Sequence, residues 1–244
     1  MTTTRPRVLG VIPARLASTR LPGKVLRTIA GKPLLQWVYE AARRCPGLDD
    51  ILIAADSAEV KALCDANGWQ CLLTSPTLPS GTDRLFAVAQ QVSADVYVNI
   101  QGDEPLLQPE HIASLLAPFA TPDVDVTTLK VRCRAEDVAN PNAVKVVTAL
   151  DGRALYFSRA PIPCDRDGVP DAIYWKHLGL YAYRHAALAR FAALPPSPLE
   201  QIERLEQLRM LENGMTIHVA ETSHDTIGVD TEEDLLRVEA MLTR

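Results

Sequence analysis

Four short apolar runs punctuate the first hundred residues: Val8–Ile12, Ile51–Ala55, Trp69–Leu73 and Val96–Ile100. Each has the length and continuous apolar character of a strand buried on both faces. Helical patterns lie between them. Pro33–Arg44 carries Leu34, Leu35, Trp37, Val38, Ala41 and Ala42 on one helical face, and Pro33 suits a first turn. Ser57 is placed to cap a helix that runs to about Asn67 and stops at Gly68. A third helical pattern spans Asp83 to about Val92. Strands that alternate with segments of this length predict a parallel sheet covered by helices, joined by right-handed crossovers.

After Glu104 the order changes. A helix is predicted over Pro109–Phe119, then strands over Val124–Val131, Val144–Ala149 and Ala154–Phe157, with Asp151-Gly152 as a tight turn. Tyr174–Tyr183 alternates with period two, Leu178, Leu180 and Ala182 on one face and His177, Gly179, Tyr181 and Tyr183 on the other. A helix over Ala186–Ala193 ends at Pro195-Pro196, and Ser197-Pro198 opens a single helix predicted to reach Glu212. A strand over Met215–Ala220 and a helix over Glu232–Leu242, capped by Thr231, close the chain. With no repeat and no Gly/Ser linker, the simplest account is one α/β domain over residues 1–244 with a β-rich insert at about 124–183.

Apolar residues make up 47% of the 244, enough for a core of this size, and no apolar run reaches the length of a membrane span. Met1–Arg7 is polar and reads as a tail before the first strand rather than a leader. Five cysteines, Cys45, Cys64, Cys71, Cys133 and Cys164, lack CxxC spacing; an odd, unpatterned set fits a reducing cytoplasm better than a disulfide framework or a zinc site. A net charge of −5 argues against a nucleic-acid partner, so an anionic substrate must meet local cations.

The chemistry gathers where apolar runs stop. Val96–Ile100 gives way to Gln101-Gly102-Asp103-Glu104-Pro105, delivering Asp103 to the carboxyl edge where such sheets bind ligands. Asp230 follows another apolar segment, and two carboxylates completed by water and phosphate oxygens suit Mg2+. Asp103 also suits a plain turn, and Asp230 a helix cap. Pro13–Lys24, with Arg15, Arg20, Gly23 and Lys24, is either a polyphosphate-binding loop or a solvated basic one; the Walker spacing is absent. Ser80-Gly81-Thr82-Asp83-Arg84 is a polar cluster at the same edge, where capping accounts for Thr82 or Asp83. His177 and Tyr181, four apart on a strand, face one way, roughly 13 Å apart.

Taken together, IPARLASTRLPGK (12–24), SGTDR (80–84), NIQGDEP (99–105), NPNAVKVV (140–147), ALYFSRAPIP (154–163), KHLGLYAYR (176–184), SPLEQIERLEQLRMLENG (197–214) and GVDTEEDL (228–235) resemble the sugar-acid cytidylyltransferases. Within that group, YFSRAPIP, HLGxYxYR and SPLE–EQLR resemble the branch acting on 3-deoxy-manno-octulosonate (Kdo). The resemblance implies a Rossmann-like nucleotidyltransferase fold, the substrates CTP and Kdo, Mg2+ as cofactor, and a cytoplasmic homodimer serving lipopolysaccharide assembly. It implies that Arg15 and Lys24 hold the triphosphate, with Ser80, Asp83, Arg84 and Gln101 at the nucleotide. Asp103 and Asp230 hold the metal, and Arg159, His177, Tyr181, Glu206 and Gln207 line the sugar-acid pocket. Lys24, Arg15, Asp103 and Asp230 form the implied catalytic set. Alternatives are a cytidylyltransferase for a related sugar acid, such as an amino-Kdo analogue or a sialic acid, one acting on a polyol phosphate, or a non-catalytic nucleotide-binding module. The chain departs from the pattern at Cys164, where relatives often carry tryptophan.

Overall fold

A computed structural model describes residues 5–16 and 21–243 of the chain, so the Ala17–Arg20 part of the basic loop lies outside the described residues. The chain divides into two compact units, one running to Ala113 and resuming at Thr226, the other spanning Ser114–Asp225. The second begins ahead of the expected insert at 124–183 and ends well beyond it.

The first unit begins with β1 (Val8–Ala14), the short strands β2 (Thr28–Ile29) and β3 (Lys32–Pro33), and helix α1 (Leu34–Arg43). Strand β4 (Asp50–Ala55), helix α2 (Ala58–Asn67), strand β5 (Cys71–Leu73), helix α3 (Gly81–Ala89), strand β6 (Val96–Asn99) and helix α4 (Pro109–Leu116) follow. The order β6-β1-β4-β5 is wholly parallel, with Val11 opposite Asn99, Ile12 opposite Ile53, and Ile53 opposite Cys71. Every residue of β1 is buried, as a central strand covered on both faces requires. Ser57 caps α2 by accepting from Val60 N–H at 3.2 Å, and Gly68 ends it at φ 67°. Trp69 was expected in a strand, but its N–H closes the helix end on the Cys64 carbonyl at 2.9 Å. The β2–β3 hairpin had no sequence signal, because two-residue strands are too short to alternate. Its turn holds Ala30 at φ 45° and Gly31 at φ 80°.

The second unit contains β7 (Val126–Arg132), α5 (Ala135–Val138), β8 (Lys145–Thr148), β9 (Ala154–Ser158), β10 (Trp175–Arg184), α6 (His185–Ala192), α7 (Pro198–Glu203), α8 (Gln207–Glu212) and β11 (His218–Glu221). Here β11 runs parallel to β7, while the β7–β10, β10–β8 and β8–β9 pairs are antiparallel. Two features differ from expectation. The register of β10 on β7 shifts between Leu178 and Tyr181, which breaks strict alternation. The single helix predicted from Pro198 to Glu212 is two, because Arg204 adopts φ 54°, ψ 46° and ends α7.

Helix α9 (Glu232–Leu242) returns to the first unit with the predicted bounds. Its Leu235 and Val238 pack with Leu21, Ile29, Leu34 and Val229 in one buried cluster. That packing fastens the segment carrying Asp230 to the base of the basic loop.

Candidate active site

In the first unit the parallel strands deliver their carboxyl ends to one edge. The β6 strand stops at Asn99, and the turn after it is tied by Glu104 N–H to the Gln101 carbonyl at 3.2 Å. Gly102 is needed there for packing: a Cβ would stand 2.5 Å from the Pro13 carbonyl oxygen at the end of β1. The Asp103 carbonyl accepts from Val229 N–H at 2.9 Å, which brings the α9 approach alongside. Capping of α9 falls to Thr231, whose hydroxyl accepts from Asp234 N–H at 3.2 Å while Asp234 accepts from Asp230 N–H and Thr231 N–H at 3.1 and 2.9 Å. Asp230 thus joins this network through its backbone N–H, while its carboxylate accepts from Lys24.

Lys24 joins the two acids. Gly23, at φ 63°, turns the chain so that Lys24 begins a short 3-10 turn. From there its Nζ donates to Asp103 Oδ2 and, at 3.0 Å, to Asp230 Oδ1. The lysine side chain is 13% exposed, against 25% and 39% for the acids. Burial opposes the ammonium charge most strongly, but Asp103 and Asp230 outweigh it and raise the Lys24 pKa. The two carboxylates already share one cation, here an ammonium. An oxygen pair completed by water or phosphate is a donor set that Mg2+ accepts. Among the described residues no group of three or more His, Cys, Asp or Glu side chains forms a self-sufficient metal cage.

The other nucleotide candidates have different duties. Arg15 is exposed and donates Nη1–H to the Pro79 carbonyl at 3.1 Å. Ser80 caps α3: its hydroxyl accepts from Asp83 N–H at 3.1 Å and donates to Asp83 Oδ2 at 2.7 Å. Arg84 is 1% exposed and donates to Thr74 Oγ1 at 2.7 Å, the Ser75 carbonyl at 3.1 Å and Asp56 Oδ2 at 3.4 Å. Asp56 also accepts from Leu16 N–H at 3.1 Å, so Arg84 supports the basic loop from beneath. Gln101 opens the turn before Asp103 and is partly buried. Sequence reasoning passed over Asn99, which is 3% exposed with no partner for Oδ1 among the described residues. The available signal was a lone amide closing an apolar run.

The sugar-acid candidates lie in the second unit. His177 is partly buried, and loss of solvent around the ring pushes its pKa down to about 3, so it is neutral. The Thr128 hydroxyl donates to the Leu180 carbonyl at 2.8 Å and so accepts from His177 Nε2–H at 3.0 Å. The His177 ring meets Phe157 edge-on at 4.9 Å and Tyr181 at 5.5 Å. The rings meet although a regular strand sets the two backbone positions roughly 13 Å apart. The register of β10 on β7 shifts between these two residues. Burial raises the Tyr181 pKa well above the ordinary phenol value, with further upward pushes from Tyr183 and Glu206. The buried Gln207 Nε2 has no hydrogen-bond partner among the described residues. The left-handed Arg204 sets Glu206 and Gln207 at the start of α8.

Arg159 donates Nε–H to the Glu203 carbonyl at 2.7 Å and Nη1–H to the Pro141 carbonyl at 2.9 Å. Two supports that sequence reasoning missed hold it. The Glu203 carboxylate accepts from Ser158 Oγ–H and Arg159 N–H at 2.6 and 2.9 Å. The wholly buried Lys145 ammonium donates to the carbonyls of Asn140, Ala143 and Arg159 at 2.8, 2.6 and 2.7 Å. A lysine in a strand carries no sequence mark of such burial.

Residues 9–217 match the profile of a family described as cytidylyltransferase. A 3-deoxy-manno-octulosonate cytidylyltransferase of Acidobacterium capsulatum is 64% identical over 235 residues, 96% of each chain. One of Koribacter versatilis is 58% identical, covering 97% of this chain and 90% of its own. A solved structure of CMP:2-keto-3-deoxy-manno-octonic acid synthetase complexed with CTP superposes with a TM-score of 0.93 at 42% identity, covering 97% of this chain and 98% of that one.

Proposed function

The chain belongs to the cytidylyltransferase family, and on that premise we propose that it transfers the cytidylyl group of CTP to 3-deoxy-manno-octulosonate, releasing pyrophosphate. The observation that carries the reading is the meeting of Lys24, Asp103 and Asp230 at the carboxyl edge of the parallel sheet, in a chain with relatives of that activity. The sugar's anomeric hydroxyl oxygen forms a bond to the α-phosphorus. The bond from that phosphorus to the bridging oxygen breaks, and the hydroxyl proton leaves to solvent. Such transfers depend on positioning and charge compensation more than on covalent help from the protein.

Asp103 and Asp230 hold Mg2+, which when bound supplies charge compensation at the phosphates and lowers the pKa of the attacking hydroxyl. Lys24 and Arg15 hold the triphosphate and offset charge on the departing pyrophosphate. Ser80, Asp83 and Gln101 border the nucleotide, with Arg84 bracing the loop. Neutral His177 is suited to a hydrogen bond with a sugar hydroxyl rather than to an ion pair. Arg159 is therefore the cation assigned to the sugar carboxylate, and Tyr181, Glu206 and Gln207 take the remaining hydroxyls. The buried Gln207 Nε2, lacking a protein partner among the described residues, supports that assignment. The reaction is placed in the cytoplasm, the product feeds lipopolysaccharide assembly, and the working form is a homodimer. No described helix is long and apolar enough to cross a membrane.

Purified protein given CTP and a panel of sugar acids should release pyrophosphate with Kdo and much less with sialic acids. Release with none of them overturns the reading. Asp103→Asn should lower turnover by roughly 10²–10³-fold, the scale of losing one transition-state electrostatic contact, with an unchanged circular dichroism spectrum.

A further inference from the structure

We propose that Lys24 has a second role, as a stand-in cation that keeps the seat between Asp103 and Asp230 closed to metal until a triphosphate arrives. The inference rests on the assignment of Mg2+ to those two acids. One ammonium contacts an oxygen of each, donating to Asp103 Oδ2 and, at 3.0 Å, to Asp230 Oδ1. A divalent ion drawing on the same two oxygens needs the space that the ammonium fills. The two cations are mutually exclusive there. With its side chain only 13% exposed, Lys24 is no loosely held surface cation.

The backbone is arranged for the side chain to change partners without the loop unfolding. Gly23 sits at φ 63°, Gly23 N–H is bonded to the Leu16 carbonyl at 3.3 Å, and Leu26 N–H is bonded back to the Gly23 carbonyl at 2.8 Å. Lys24 thus projects from a pinned turn on a long flexible stem. A triphosphate carries more negative charge than the acid pair and draws the ammonium onto itself, which vacates the position between the two carboxylates for metal. By linkage, each ligand favours the other by the same factor. Metal and nucleotide load together, and metal alone binds the free protein weakly.

The test uses the full-length, metal-free protein without nucleotide, titrated with Mn2+ and followed by the electron paramagnetic resonance signal of the unbound ion. Lys24→Met and Lys24→Gln should each bind Mn2+ at least about tenfold more tightly than the unaltered protein, a difference of about 1.4 kcal/mol. Two independent replacements are used so that a folding defect in one does not decide the matter. Arg15→Met removes the same charge from the loop without a contact to either acid and should stay within about twofold. Asp103→Asn, alone and combined with Lys24→Met, should weaken binding. If the Lys24 variants bind no more tightly while Asp103→Asn still weakens Mn2+, the metal assignment stands and the stand-in role is overturned. Equal gains from Arg15→Met and Lys24→Met also overturn it, since the effect is then a general field. If Asp103→Asn changes nothing in any background, the metal assignment itself fails.

Discussion

His177 shows how much a single side chain's surroundings decide. Burial moves its pKa to about 3, from an ordinary value near 6.5. The sign follows from linkage. Above the unfolded value both states hold neutral imidazole and stability is intact. As pH falls from there toward 3, only the unfolded chain takes up the proton, so stability is progressively lost. Between pH 7 and pH 5 the loss from this one group is about 2 kcal/mol. His177→Gln keeps a hydrogen-bonding group for Thr128 but cannot titrate. In urea unfolding, the unaltered protein should lose about that much more stability over the interval than the variant does. Equal losses would place the titrating burden elsewhere. Gly102 makes a second residue-level case. Its close neighbour is the Pro13 carbonyl oxygen, 2.5 Å from any added Cβ. Gly102→Ala should part the end of β1 from the Asp103 turn, costing about 1–3 kcal/mol and weakening CTP binding in calorimetry. Asp103 itself was legible because an acid ending an apolar run is visible in one dimension. The burial of Arg84 was not, since its partners Thr74, Ser75 and Asp56 come from other segments.

Elements were legible where local chemistry alone fixes their ends. Helix α9 matches its predicted bounds because Thr231 and Asp234 form a capping box within four residues. The helix predicted from Pro198 to Glu212 split instead at Arg204, a residue type with no preference for left-handed backbone. Its cause lies in tertiary partners. Glu200 in α7 clasps Arg209 in α8 through contacts of 2.8 and 2.5 Å, and accepts from Ser197 N–H at 3.0 Å. The Arg209 guanidinium lies 5.0 Å from the Phe191 ring centroid. Burial alone would raise the Glu200 pKa, but the hydrogen bonds from Arg209 and Ser197 outweigh it and leave the carboxyl below its ordinary value. Stability from this clasp is therefore complete above the unfolded carboxylate range and lost as pH falls through the depressed native value. Glu200→Gln should cost about 2 kcal/mol near neutral pH. That cost should shrink in acid as the native carboxylate protonates. Denaturant midpoints of the two proteins at pH 7 and pH 3 measure it. A gap that is unchanged at pH 3 would show that shape, not charge, holds α7 to α8. In the same way the register shift in β10 escaped notice, because strict alternation is the only strand geometry that a sequence pattern encodes.

The chain divides into two compact units, and a change was visible after Glu104, where the alternation of strands and helices stops. What sequence could not foretell is which surfaces of the second unit stay uncovered. Among the described residues β9 pairs as a strand with β8 alone, while at its start Ala154 N–H donates to the Ile217 carbonyl at 2.8 Å. Leu155 on β9 is 60% exposed, Ile202 on α7 is 78% exposed, and Leu150 at the β8–β9 turn is fully exposed. Large apolar side chains exposed together invite contact with another chain unless something covers them. A second copy related by a two-fold axis covers both apolar patches with one self-complementary surface. On that reading, Leu155 sits near the centre of the homodimer contact. A lysine there puts a charge into the buried part of the interface, where charged residues are depleted. Light scattering at micromolar concentration should give twice the chain mass for the unaltered protein. Leu155→Lys should raise the dimer dissociation constant by at least about tenfold, a loss of about 1.4 kcal/mol. Its unfolding midpoint at high dilution should not move, since the substituted side chain faces solvent in the isolated chain. A monomer for the unaltered protein would leave Leu155 exposed on a strand of only five residues, too short to recruit a partner by its backbone.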